Sequence, residues 1–254
     1  MDSDDLLKFL DDAGRYFTQQ QDLFGGVLYR EEHPSMTNVP AAAAPLSTAP
    51  LSATPKSAAP EMNESWKAST TLDALNGEIS ECLKCPLGET RTKFVFGTGS
   101  PNAGVMFIGE APGADEDAQG IPFVGRAGQL LTKIIEAIGM KREEVYICNI
   151  LKCRPPNNRR PAPEESASCT PYLNKQIELV KPRFIICLGL TSAQWLLQTT
   201  GSLGSLRGRF HDYRGIRLIV TYHPAALLRN PEWKKPTWED MKMFKSAYDS
   251  HTDA

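Results

Sequence analysis

Residues 105–140 read VMFIGEAPGADEDAQGIPFVGRAGQLLTKIIEAIGM, and the fold is decided here. VMFIGE (105–110) is a continuous apolar run closing on an acid, the pattern of a strand buried on both faces. A Gly/Pro-rich loop follows. GRAGQLLTKIIEAIGM (125–140) then reads as a helix ending at Gly139. Working outward, the same alternation recurs. VYICNI (145–150), RFIICLGL (183–190) and IRLIVTYH (216–223) are three further strands. Helical stretches cover 163–180, 191–199 (capped by Thr191) and a region near 236–249. Short apolar strands alternating with helices predict an α/β fold, with a mainly parallel four-stranded sheet covered on both faces.

In such sheets ligands bind beyond the carboxyl ends of the strands. Glu110, Asn149 and His223 each lie at or just inside such an end. Three polar residues in one structural position on three strands mark a candidate site. The loop after Glu110 lacks G-x-x-x-x-G-K-[ST], so it is not a nucleotide P-loop. Gly109 and Gly113 permit close backbone approach to a ligand. Asp115 and Asp117 are expected to be solvated or to cap a helix. Phe123, after a proline in a polar loop, either plugs the core or serves as a stacking platform for a base.

The chain of 254 residues is 41% hydrophobic and 23% charged, ordinary values for a soluble domain with an appendage. It has no apolar run long enough to span a bilayer, and its acidic start is unlike a signal peptide, so a cytoplasmic location is expected. The net charge of -2 hides an asymmetry: residues 1–80 carry 5 Lys+Arg and 12 Asp+Glu, and residues 81–254 carry 23 and 18. The larger part is mildly basic and suited to an anionic partner.

Six cysteines occur, at 82, 85, 148, 153, 169 and 187. Cys148 and Cys187 sit in apolar strand patterns and read as small buried hydrophobes. Cys82, Cys85, Cys153 and Cys169 provide four thiolates, enough for a tetrahedral zinc or the corners of an iron–sulfur cluster. Their spacing does not choose between the two.

Three segments organise the chain. Residues 1–35 hold a short amphipathic helix pattern. Residues 36–74 are an Ala/Pro/Ser-rich linker, with prolines at 40, 45, 50, 55 and 60, expected to be extended and mobile. Residues 75–250 form the globular domain.

GEAPGADEDAQGIPFVGRAGQLL (109–131), NILKCRPPNNRRP (149–161) and HPAALLR (223–229), framed by the four cysteines, closely resemble the family 4 uracil-DNA glycosylases, the iron–sulfur-containing branch of their superfamily. The resemblance spans roughly residues 75–250. It implies a three-layer α/β/α fold, a 4Fe-4S cluster on Cys82, Cys85, Cys153 and Cys169, and base excision repair: hydrolysis of the deoxyuridine N-glycosidic bond in DNA, releasing uracil and leaving an abasic site.

The chemistry that this implies assigns roles residue by residue. His223 donates a hydrogen bond to the negative charge developing on uracil O2. Asn149 offers the donor and acceptor that O4 and N3–H demand, a pattern cytosine reverses. Phe123 stacks on the flipped base, and Gly109 and Ala111 line its site. The best-known branch of the superfamily reads GQDPYH at the first motif. Here Ala111 replaces its water-activating Asp and Gly113 its thymine-blocking Tyr. Glu110 and Glu116 are the candidates for orienting water and filling the thymine-excluding space, in either assignment. Leu227, with Leu228 as the alternative, is placed like the wedge that fills the vacated stack. Arg154, Arg159 and Arg229, with Lys152 and Arg160, are candidates for phosphate contacts.

A monomer acting on single- or double-stranded uracil-containing DNA is expected. The competing reading is a non-catalytic iron–sulfur module that binds DNA or senses damage. Gln20-Gln21-Asp22-Leu23-Phe24 resembles the short peptide by which bacterial repair proteins hold the sliding clamp. The bland reading of this stretch is a helix docked on the domain.

Overall fold

The computed structural model describes residues 64–250. The clamp-like peptide and most of the expected linker lie outside the described residues. Six strands form one sheet: β1 (Thr98–Gly99), β2 (Val105–Gly109), β3 (Tyr146–Asn149), β4 (Phe184–Leu188), β5 (Phe210–Tyr213) and β6 (Ile216–Thr221), in the order β1-β3-β2-β4-β6-β5. The inner four are parallel and are the four that the sequence predicts. The expected count of four is corrected to six by two antiparallel edges, β1 on β3 and β5 on β6. Neither edge carried an apolar run: β1 is two residues long and β5 reads FHDY.

Side chains alternate across the sheet, as pleating requires. Met106, Ile108, Cys148, Ile185, Cys187 and Val220 face one core. Helices α1 (Leu72–Ile79) and α4 (Pro163–Val180) cover it with Leu75, Ile79, Tyr172, Leu173 and Ile177. Val105, Phe107, Ile147, Phe184, Ile186 and Ile219 face the other. There α3 (Arg126–Ala137) adds Leu131 and Ile135, and α7 (Lys234–Asp249) adds Met241 and Phe244. The result is a three-layer α/β/α domain. Between these lie α2 (Ala114–Gln119), α5 (Leu190–Leu197) and α6 (Pro224–Arg229). The expected cap of α5 shifts from Thr191 to Gly189, leaving Thr191 inside the helix.

The domain starts earlier than expected. Residues Glu64–Ala68 form a 3-10 turn within the stretch read as linker, and Trp66 is buried with its ring edge-on to Tyr172 at 4.9 Å. Thr71 caps α1 by accepting from the Ala74 N–H at 3.1 Å. Bulky Trp66 and the Thr71 cap are the local signals of this early start.

Among the described residues no helix is long and apolar enough to cross a membrane.

Candidate active site

Strands β2 and β3 run in register, with Gly109 beside Asn149. The chain then crosses β2 to reach β4 and β6 on the other side. This is the reversal of direction at which open α/β sheets form ligand crevices. β2 delivers Glu110, β3 ends at Asn149, and β6 leads to His223 two residues past its end.

Asn149 is 1% exposed, and its side-chain Oδ1 has no hydrogen-bond partner. An unpaired buried carbonyl costs about 1–3 kcal/mol, so the fold tolerates it where a ligand donor satisfies it. Gly109 makes room for this amide. A Cβ at position 109 would overlap Asn149 Oδ1 and meet Phe123 Cζ at 2.7 Å. Gly109, Asn149 and Phe123 therefore form one packed corner.

Phe123 is buried, with φ at +54°. A bulky residue in the left-handed region is strained, and strain of this kind collects at functional sites. Two features hold it there. A Cβ on Gly128, in the first turns of α3, would overlap the Phe123 carbonyl, so only glycine lets the loop lie down on the helix. The Glu116 carboxylate gathers the loop: Oε2 accepts from Gly113 N–H at 3.1 Å, and Oε1 from Val124 and Gly125 N–H at 2.9 and 3.0 Å. A charged acceptor of three N–H groups is a strong local anchor. Both oxygens of Glu116 are thus spoken for within its own loop.

His223 faces Phe123, with ring centroids 5.5 Å apart. Its Nδ1 accepts from the Ala225 N–H at 3.1 Å. That bond fixes the tautomer: in the neutral ring the proton sits on Nε2, which is left to donate. Burial, with a smaller push from the Arg229 charge, lowers its pKa to about 4. The imidazole is neutral at physiological pH.

Glu110 follows β2, half-buried, with its carbonyl accepting from Leu151 N–H at 3.0 Å. Ala111 is half-buried beside it. Asp117, expected to be solvated or capping, is 5% exposed instead and accepts from Thr92 N–H at 2.9 Å, pinning the loop before β1.

Two DNA-contact expectations are corrected. Leu227 is 1% exposed, so it cannot enter a base stack without unpacking α6; the neighbouring Leu228 is the half-exposed leucine of that helix. Lys152 is fully buried and out of reach of any phosphate. Of the arginines, Arg229 is exposed and Arg154 is half-buried, bonded to Asn158 Oδ1 at 2.8 Å. Arg159 makes a two-pronged pair with the buried Glu165, at 2.8 and 2.6 Å, and this holds the Glu165 carboxyl below its usual range. Arg160 is exposed and donates to Gln194 Oε1.

The four framing cysteines are free thiols. Cys82 and Cys85 flank the turn after α1, Cys153 follows β3, and Cys169 lies on α4. Donors are aimed at them: Tyr172 Oη reaches Cys82 Sγ at 3.3 Å, Lys84 N–H reaches it at 3.5 Å, and Arg91 Nη1 reaches Cys153 Sγ at 3.5 Å. Arg91 Nη1 bonds both the Cys82 carbonyl and Cys153 Sγ, and Tyr172, three residues along α4 from Cys169, bonds Cys82 Sγ, so the four cysteines lie on neighbouring segments. Burial pushes the Cys153 thiol up to about 11 and Cys169 up to about 12. Thiolate charge there requires a compensating cation. Among the described residues, no three His, Cys, Asp or Glu side chains converge to enclose a single ion.

Comparison with known proteins adds a family. The profile of the Uracil DNA glycosylase superfamily matches residues 96–242. A type-4 uracil-DNA glycosylase of Archaeoglobus fulgidus is 44% identical over 181 residues, covering 68% of this chain and 90% of its own. That of Saccharolobus solfataricus is 46% identical over 188 residues, covering 70% and 87%. That of Pyrobaculum aerophilum is 47% identical over 181 residues, covering 68% and 92%.

Proposed function

The chain belongs to the uracil-DNA glycosylase superfamily, and from that premise we propose that its strand-end crevice excises uracil from DNA by hydrolysing the N-glycosidic bond. The observation that carries the reading is the buried, unpartnered Oδ1 of Asn149 beside Phe123 and His223.

A uracil turned out of the stack presents N3–H to that oxygen and O4 to the amide NH2. Cytosine presents an acceptor and a donor at those positions, so a fixed amide rejects it. Phe123 supplies an apolar ring for the base to stack on. As the glycosidic bond lengthens, negative charge builds on uracil O2 and positive charge on the sugar. His223 Nε2–H donates to O2. The ring is already neutral and its tautomer is set by the Ala225 N–H, so no proton rearrangement precedes bond breaking. Ala111 has no acid or base group, and Glu110 is the side chain proposed to orient water toward the sugar. Glu116 acts by shaping the loop that carries Phe123. Leu228 fills the vacated stack, and Arg229 and Arg154 meet phosphates.

Cys82, Cys85, Cys153 and Cys169 are proposed to hold a 4Fe-4S cluster. Four clustered thiols with N–H and O–H groups aimed at sulfur suit one. When bound, it supplies a cross-link between the turn after α1, the loop after β3, and α4. Iron and acid-labile sulfide in the purified protein would support it; zinc in their place would overturn it.

The activity test is an oligonucleotide carrying one uracil, treated with alkali after incubation. Strand cleavage confined to uracil, absent with thymine or cytosine at that position, is expected. Asn149→Ala and His223→Ala should each lower kcat/KM by about 100-fold or more. Intact uracil strands with cluster-loaded protein would instead leave a DNA-binding module.

A further inference from the structure

Phe123 stands on a strained backbone, and a second charged side chain, unused by the mechanism above, holds it there. Arg142 opens the 3-10 turn Arg142–Glu144, just ahead of β3. It is half-buried, and its guanidinium spreads over two partners. Nη2 donates to the Pro122 carbonyl at 2.7 Å, and Nη1 to Thr132 Oγ1 at 3.1 Å. Thr132 lies on α3 and itself donates to the Gly128 carbonyl at 3.2 Å. Gly128 is the residue against which the Phe123 carbonyl lies.

The peptide planes on either side of Phe123 set its φ and ψ. The plane before it carries the Pro122 carbonyl, which Arg142 holds. The plane after it carries the Val124 N–H, which Glu116 Oε1 accepts at 2.9 Å. A cation grips one plane and an anion the other. Charge-assisted bonds are the stronger kind, and a forked guanidinium fixes direction as well as distance. Released from this grip, a phenylalanine at φ +54° relaxes toward negative φ. Its ring then leaves the corner that it shares with His223 and Gly109.

We infer that Arg142 is a positioning residue for base stacking: with Glu116 it clamps the two peptides flanking Phe123 and keeps the ring preformed for an extruded uracil. The inference rests on the proposed excision of uracil. Arg142 also heads the chain that enters β3 and ends at Asn149, so one side chain ties the stacking ring to the base-reading strand. A ring ordered in advance spares the incoming base the cost of ordering it, so the gain falls on binding.

The test compares the whole chain as wild type, R142M, R142K, F123L and the double variant F123L/R142M. kcat and KM for a uracil oligonucleotide are measured on each, with circular dichroism as the check on folding. R142M is expected to raise KM about 10-fold and to change kcat less. R142K keeps the charge without the fork and should recover part of that loss. On F123L, where there is no ring to position, R142M should change KM by less than about 2-fold. An unchanged KM in folded R142M overturns the assignment. So does the same rise in KM repeated on F123L, the mark of a residue that only supports the fold. Where R142M does not fold, T132V carries the test. It removes only the outer anchor of the guanidinium and should raise KM about 3-fold; an unchanged KM there overturns the assignment. No uracil release by the wild type is a different result: it refutes the excision reading, and the inference with it.

Discussion

His223 is the residue whose surroundings decide most. Its pKa lies at about 4, below the ordinary 6.5, because burial penalises the charged ring and Arg229 adds repulsion. The activity that depends on its neutral form should therefore persist as pH falls through 6.5 and fade only toward 4, which a pH profile of kcat from 5 upward checks. Stability carries the opposite-looking cost. Between the two values the native protein binds fewer protons than the unfolded chain. The contribution is fully present above about 6.5 and is lost as pH falls toward 4. His223 is only partly buried as a residue, so the loss is discounted to on the order of 2 kcal/mol. His223→Gln should remove that slope from urea unfolding between pH 7 and 4.5. An identical slope in the variant would assign it to other groups.

At the scale of elements, α6 shows how a motif and its packing part company. HPAALLR places two leucines side by side, and the sequence favours Leu227 as the one that meets DNA. This six-residue helix packs on α3 and buries one leucine, and Leu227 takes that place. Leu227→Ala should cost about 2–4 kcal/mol of stability through the cavity it leaves. Leu228→Ala should leave the melting temperature nearly unchanged and lower excision from duplex DNA more than from single strands, where there is no stack to fill. A melting curve and the two substrates separate these outcomes. The loop over 113–125 carries the same lesson. Its residue types announce a strand-end site, yet its wiring depends on which backbone N–H groups Glu116 can reach. That is a matter of three-dimensional closure rather than of pattern. Lys152 was misplaced for the same reason, since nothing local distinguishes a buried lysine from an exposed one.

At the scale of the whole molecule, the four parallel strands were legible because each is buried on both faces and reads as an unbroken apolar run. The edge strands were not, since an edge needs no such run. The domain's beginning was also misplaced, and this can be tested by truncation. The relatives are matched over 87–92% of their own length by 68–70% of this chain, so their fold needs no long leading segment. A chain starting at Glu64 should keep its melting temperature and its uracil excision close to those of the full chain. A chain starting at Leu75, the boundary read from composition, loses buried Trp66, its edge-on contact with Tyr172 and the Thr71 cap. Those losses amount to roughly 3–5 kcal/mol, or about 10 °C for a domain of this size. Tyr172 also donates to Cys82 Sγ, so the shorter chain should bind less iron as well. Equal melting temperatures and iron contents for the two truncations would mean that the first turn contributes nothing to the core it covers.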